Sequence, residues 1–291
     1  FCKANQPEYW PSDYYIEVCS AYETIKSAAI WNGLVYCLTD REIYAIQGTS
    51  ASNFAPIPQK AATGTTGIHG VWSVKGQGIY HIANDGIYVF NGISDQKITK
   101  QRFNPLFYSE TVENMTYLDK TKIAYAFLIA FKQKLYFFYP AYGESYSGNV
   151  LVVDLAGGTS YHYDYGIEFT VACIDYTNDK LYLGASTGYV YQIEKEDATD
   201  DNGTAIAWQI QSKVFSDPLY KYFPRYAKYD CDVTSGTAYG YIMLNEAVEQ
   251  THTLSGSRNT KKRLITHCTG DRLSIKLAGS GVSSFYSAEV E

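Results

Sequence analysis

Long apolar runs are missing from this sequence. A membrane-spanning helix needs roughly 18–20 consecutive apolar residues, and the longest candidate, 123–129, is far shorter. There is no signal-peptide pattern, and no convincing amphipathic helix exceeds about three turns. The cysteines, Cys2, Cys19, Cys37, Cys173, Cys231 and Cys268, form no CxxC, which excludes the usual zinc-ribbon and dithiol motifs. Cys37 and Cys173 lie inside apolar strand patterns, where a free cysteine acts as a small hydrophobe. They read as reduced, structural thiols in an intracellular assembly environment. P-loop, GxGxxG and HExxH patterns are all missing. Basic excess is lacking too: 24 Lys and Arg stand against 30 Asp and Glu, a net charge of −6. That argues against an outer surface built to grip nucleic acid. It suits ordinary solubility, or a surface that nucleic acid slides past. The chain begins Phe1-Cys2-Lys3 without an initiator Met, and is expected to be a fragment or a processed product.

What is abundant is tyrosine, 29 residues, beside 13 Phe and 23 Gly. Short aromatic and β-branched runs broken by glycine point to strands. The organising stretch is 78–92, GIYHIANDGIYVFNG. It reads as strand, tight turn, strand, with Asp85-Gly86 expected to supply the positive φ of a hairpin. The phrase recurs at 34–48 and 180–194, and in a looser copy with a longer loop at 134–153. Aligned on the first tyrosine, the copies stand at Tyr36, Tyr80, Tyr136 and Tyr182, spaced 44, 56 and 46 residues apart. A hairpin repeating at roughly 40–50 residues is the period of propeller blades.

The chain is therefore expected to be all-β: a β-propeller over 1–197, with at least four blades visible and further blades missing at the N-terminus, a linker at 198–203, and a β-sandwich over 204–291. Residues 14–18 and 25–31 read as strands of the first unit. Residues 54–60, with Pro56 and Pro58, read as an edge or linker. An insertion at 95–122 is expected at the rim of the third unit, and 169–176 opens the fourth. The acidic stretch 194–203 marks the boundary. Seven short strands then follow, at 205–215, 226–233, 237–244, 248–254, 262–266, 272–277 and 283–290.

Candidate chemistry is thin. Gly184-Ala185-Ser186-Thr187-Gly188 matches GxSxG, but a strand follows where a nucleophile elbow needs a helix, so a hairpin loop is the reading. Asp197, Asp200, Asp201 and Asn202 miss the calcium-loop spacing. His267-Cys268 points to opposite strand faces. Asp230 and Asp232 share one strand face and read as an exposed face rather than an acid–base pair. Arg258, Lys261, Lys262 and Arg263 form the basic cluster; they read as a solvated hairpin loop or as a contact for an acidic neighbour or phosphate. No catalytic, cofactor-binding or metal residue is assigned.

The opening FCKANQPEYWP resembles the F-S-K-x-N-x-P-E-x-F-P entry of large β-propeller tail proteins of tailed bacteriophages. The ending is similar to their closing β-sandwich. Leu254-Ser255-Gly256-Ser257-Arg258 leads to Arg263-Leu264-Ile265, then to Gly270-Asp271-Arg272-Leu273-Ser274-Ile275 and Leu277-Ala278-Gly279-Ser280-Gly281. Ile265 stands where the family has Pro. The resemblance implies a non-enzymatic tail nozzle or packaged-DNA stabilisation protein of the virion, assembled in the host cytoplasm. It implies a ring of copies, commonly six, that closes the genome channel. That ring docks tail adaptor and fibre or spike proteins, and lets DNA pass an acidic lumen without sequence recognition or membrane insertion. The alternatives are a glycan-binding receptor-recognition module of a tail fibre, with Trp10, Trp72 or Trp208 stacking on sugars, and a propeller glycosidase with carboxylates converging on the axis.

Overall fold

Short aromatic and β-branched runs between turn residues dictate antiparallel strands. In the computed structural model, strand accounts for 55% of the chain and helix for 4%, so the protein is all-β. The structure describes all residues except 1–5, 7, 13, 14, 51, 101, 113, 114, 196, 197, 199, 202, 256–259, 264–268, 282 and 291. The chain divides into two compact units, Phe1–Lys195 and Glu196–Glu291.

The first unit opens with β1 (Ile25–Trp31), β2 (Leu34–Thr39), β3 (Ile43–Gln47) and β4 (Ala55–Pro58), one antiparallel sheet in chain order. Asn32 and Gly33 join β1 to β2 with φ of 48° and 79°, the two positive values a type I′ hairpin requires. Residues 15–18 form no strand, contrary to the sequence reading, and Tyr14 lies outside the described residues. The fourth place in this sheet is filled by β4, whose Pro56 and Pro58 sit on an edge, where a missing N–H is tolerated.

The second sheet is β5 (Val71–Val74), β6 (Gly78–Ala83), β7 (Gly86–Phe90) and β8 (Asp95–Lys97), again in chain order. Two expectations fail here. Ala83 pairs with Gly86, so the turn residues are Asn84 and Asp85, and neither they nor Gly86 takes a positive φ. Glycine is needed at 86 for space: a Cβ would strike the side chains of Lys97 and Thr99. The 95–122 insertion likewise shrinks, because Asp95–Lys97 is a strand of the second sheet. The remainder is no bare rim loop: Leu106, Phe107, Met115 and Leu118 are buried in the core, an outcome their apolar side chains favour.

The third and fourth hairpins share a sheet. It contains β9 (Phe127–Phe131), β10 (Lys134–Tyr139), β11 (Ser147–Asp154), β12 (Ser160–Asp175), β13 (Lys180–Ala185) and β14 (Val190–Ile193). The joint is β12. Residues 160–164 pair with β11 and residues 169–175 with β13. Between them Gly166 takes φ 62°, and its N–H donates to Asp164 Oδ1 at 2.9 Å. One long strand therefore ends the third hairpin unit and begins the fourth, where a strand over 169–176 alone was expected.

Side-chain parity organises the core. On β10, Leu135, Phe137 and Tyr139 pack toward the second sheet, while Tyr136 and Phe138 pack toward β12–β14. On β6, Tyr80 and Ile82 face the third sheet, and Ile79 packs with Tyr36 and Leu38 of the first. Each sheet is thus apolar on both faces and stacks between its sequence neighbours.

In the second unit, β15 (Asp200–Asp201) and β16 (Thr204–Ala205) form a small hairpin. A five-stranded sheet contains β17 (Ala207–Gln211), β18 (Phe215–Ser216), β20 (Thr237–Leu244), β21 (Ala247–Leu254) and β23 (Arg272–Ser280). A three-stranded sheet contains β19 (Tyr226–Val233), β22 (Thr260–Arg263) and β24 (Ser283–Val290). Both sheets feed one core, which includes Tyr229, Cys231, Ile242 and Leu277. Gly240 of β20 leaves room for the Tyr229 ring, which would lie 2.5 Å from a Cβ there, and Tyr229 OH meets His252 Nδ1 at 3.0 Å.

Two polar clusters pin the second sheet. His81 is fully buried; its Nδ1 lies 2.9 Å from Gly64 O and its Nε2 3.0 Å from Asp95 Oδ1. Ala62 N–H donates to the other Asp95 oxygen at 3.1 Å, which ties the β4–β5 connection to β8. At the turn, Asp85 accepts from Tyr88 OH at 2.8 Å and Lys97 Nζ at 3.0 Å. Burial raises the Asp85 carboxyl, but these bonds and the Lys97 charge outweigh it and hold it below the usual carboxylate range. Removing one partner of a buried pair costs about 3–5 kcal/mol, so Asp95→Ala is expected to lose that much in urea unfolding. For Asp85 the folded value is depressed, so its stabilisation is complete above the unfolded value of about 3.9 and is lost as pH falls through the folded value. The stability gap between the protein and Asp85→Asn should therefore close below about pH 4 in thermal melts across acid buffers.

Candidate functional site

The first strands of the sheets, β1, β5 and β9, and the second half of β12 lie beside one another in order. Where they converge is a cavity of about 150 Å³, lined by one or two residues from each: Ala28, Trp72, Phe127, Leu128 and Val171 among them, with Ile68 and His69 from the segment before β5. Ser27 Oγ donates to Ile68 O at 2.8 Å, and Leu128 N–H donates to His69 O at 3.0 Å. Trp72 packs against the cores on both sides of β9. His69 is the one titratable side chain in the lining. The paired carboxylates of a glycosidase, about 5–9.5 Å apart, have no counterpart among these lining residues, and the acidity of the chain is not concentrated there.

The repeat also locates faces of the first unit that are exposed among the described residues. Tyr36 and Tyr80 point into the next sheet and Tyr136 toward the β12–β14 half of its own, all three buried, whereas Tyr182, the fourth copy, is only half-buried. One residue earlier, Ile79, Leu135 and Leu181 are fully buried against the preceding sheet, whereas Val35 is 42% exposed. Val35 aligns with Ile30, 70% exposed, and Ile46 across the first sheet. On the last strands Val171, Gly184 and Val190 align, and Val190 is 69% exposed. The series of sheets thus carries an exposed apolar face at each end. Sequence reasoning missed both, although the first repeat is apolar on both faces, with Val35, Tyr44 and Ile46 on one and Tyr36, Leu38 and Ile43 on the other.

The predicted residues are scattered. Arg258 lies outside the described residues. Lys261, Lys262 and Arg263 stand on the edge strand β22 and not in a loop, in register with Lys228, Ala227 and Tyr226 of β19. Lys228 of β19 itself meets Glu289 at 3.6 Å. GxSxG is the β13–β14 hairpin, with Gly188 at φ 87°. Asp200 accepts from Gly203 N–H in the β15–β16 turn, while Asp197, Asn202, His267 and Cys268 lie outside the described residues. Asp230 and Asp232 flank buried Cys231 on the outward side of β19. Cys173 is exposed, not a core hydrophobe, because it lies on the uncovered face of β12; burial pushes the thiols of Cys37 and Cys231 up. Trp72 is committed to packing and Trp208 is half-buried against Phe285, which leaves Trp10 exposed. Among the described residues, no group of three His, Cys, Asp or Glu could hold a metal ion, and no helix is long and apolar enough to cross a membrane.

No protein-family model matches the chain, and no curated protein matches it in sequence. Solved structures do. An exo-β-1,3-galactanase from Phanerochaete chrysosporium with galactose is 8% identical over 94% of this chain and 83% of that one, with a TM-score of 0.33. The S. cerevisiae core factor is 10% identical over 90% of this chain and 48% of that one, with a TM-score of 0.36. A glycoside hydrolase is 11% identical over 93% and 85%, with a TM-score of 0.32. Likeness at this level assigns no activity.

Trp72 links the cavity to two cores. Trp72→Ala is expected to lower stability by about 3 kcal/mol, the low end for large-to-small core changes because the ring is only partly buried, read as a lower urea midpoint with an unchanged slope.

Proposed function

We propose that this protein is a structural component of a bacteriophage tail, of the nozzle or DNA-stabilisation kind, that assembles through its sheet faces. In this reading the first unit is a four-bladed portion of a β-propeller and the second a β-sandwich. The observation that carries it is the pair of exposed apolar end faces. Exposed apolar patches of this kind mark association sites, and repeat logic says what fits them: the Tyr182 side matches the type of surface that Val35 presents, as Tyr36 matches Ile79. Copies of the chain, or other tail proteins with the same repeat, satisfy that requirement. The terminal sequence resemblance supports the virion assignment; parts of it fall on residues 1–5, 7, 256–258 and 264–265, which lie outside the described residues.

Native mass spectrometry of the full chain tests the assembly, and antibody labelling of phage particles tests the location. Oligomers that Val35→Glu reduces to folded monomers, together with label confined to tails, are expected. A monodisperse monomer and unlabelled particles would overturn the reading.

A further inference from the structure

The interior of the first unit contains a joint whose two halves recur, unmated, at its ends. Between the first and second sheets, Tyr36 and Leu38 of β2 pack on Ile79 of β6 and Phe90 of β7. The Tyr36 and Phe90 rings meet edge to face with centres 5.8 Å apart. The repeat maps this joint onto the end faces. Tyr182 takes the place of Tyr36 in the last repeat. Val35 takes the place of Ile79 in the first. Ile46, the cross-strand partner of Val35, takes the place of Phe90, the cross-strand partner of Ile79. The Val35 side of the first sheet is the front of the series, and the Tyr182 side of the last sheet is its back.

Both faces have the composition of such a joint. Across the front, strand pairing lines up Ile30, Val35, Ile46 and Pro56, and the next row centres on Cys37 and Tyr44. Neither row carries a charge; at the margin the Glu23 carboxylate accepts from Tyr44 OH at 3.3 Å. Across the back, Val171, Gly184 and Val190 form one row, and Tyr182 stands in the next beside Cys173. The Val171 side chain lies over Gly184, where a Cβ would stand 2.9 Å from it, so this row has low relief. At its end Asp175 pairs across the strands with Lys180, and the two charges cancel.

We infer that a second copy of this chain docks front to back, the Tyr182 face of one copy against the Val35 face of the next. The inference rests on the proposed assembly through sheet faces and narrows it to one partner and one orientation. Each copy carries one half of each kind, so front-to-back docking covers every end face except the outermost two. Front-to-front docking leaves both Tyr182 faces exposed. A strongly charged partner finds no countercharge in the rows of either face. Copies of net charge −6 repel one another, and they do so least where these uncharged rows meet. Contacts of this heterologous kind propagate, into a ring where the rotation closes and into a filament where it does not.

The test is native mass spectrometry of the full chain with two variants, Val35→Glu on the front and Val190→Glu on the back, one of them uniformly labelled with nitrogen-15. The two valines are 42% and 69% exposed, so both variants are expected to fold, with circular dichroism as the check. Each variant alone is expected to be a monomer at concentrations where the unaltered chain is oligomeric. Their equimolar mixture is expected to give a dimer of one labelled and one unlabelled copy, because each retains the face that the other has lost. Dimers of either variant alone, or a mixture that stays monomeric, overturn the inference and leave the assembly reading standing. A monomeric unaltered chain removes both. The native cysteines provide a second measurement that needs no variant, since Cys37 stands on the front and Cys173 on the back. A bis-maleimide spanning about 10 Å, the spacing of packed sheets, is expected to join Cys37 of one copy to Cys173 of another in mixed-isotope oligomers. Links from Cys37 to Cys37, or from Cys173 to Cys173, overturn the inference.

Discussion

Two-sided burial is the constraint on which the first unit depends. A strand whose successive residues are both apolar, such as Tyr136-Phe137-Phe138, has to find cover on both faces of its sheet. A single sheet cannot provide it. Stacking sheets in sequence order does, and the opposite-parity residues of β6 and β10 sort cleanly into the cores on either side. The same constraint explains the ends of the series. The first and last sheets inherit two apolar faces from the repeat but have a neighbour on one side only, so the uncovered faces follow from the arrangement that makes the interior stable.

Much of this was legible in the residues. The tyrosine-marked phrase located the second strand of each hairpin unit, and β19, β20 and β24 fall where alternation placed them, because alternation over eight residues with one buried face leaves little freedom of register. Failures came where local chemistry competed with tertiary packing. Residues 15–18 look like a strand yet form none, and the fourth place in the first sheet is taken at its opposite end by Pro-bearing β4. Asp85-Gly86 looks like a positive-φ turn, yet Gly86 is used for the close approach of Lys97 and Thr99. A continuous β12 was invisible because Gly166 reads as a break, whereas it bends the strand within one ladder.

The candidate sites were harder to read than the fold, for a physical reason. The cavity draws on residues from 27 to 172, and no motif spans such distances. The Tyr117–Tyr142 and Tyr125–Tyr146 ring pairs depend on a loop being hydrogen-bonded to a segment some 20 residues earlier, which spacing alone does not reveal. Of the basic cluster that spacing did reveal, residues 261–263 stand on an edge strand.

The central claim is that the first strands of successive sheets surround one cavity. Spin labels at Ala28 and Val171, in a variant with the exposed cysteines replaced, measure it most directly by electron–electron distance. Both residues line the same cavity of about 150 Å³, so one short, narrow separation is predicted. A long or broad distribution, as from sheets laid out side by side in a flat array, would contradict the account.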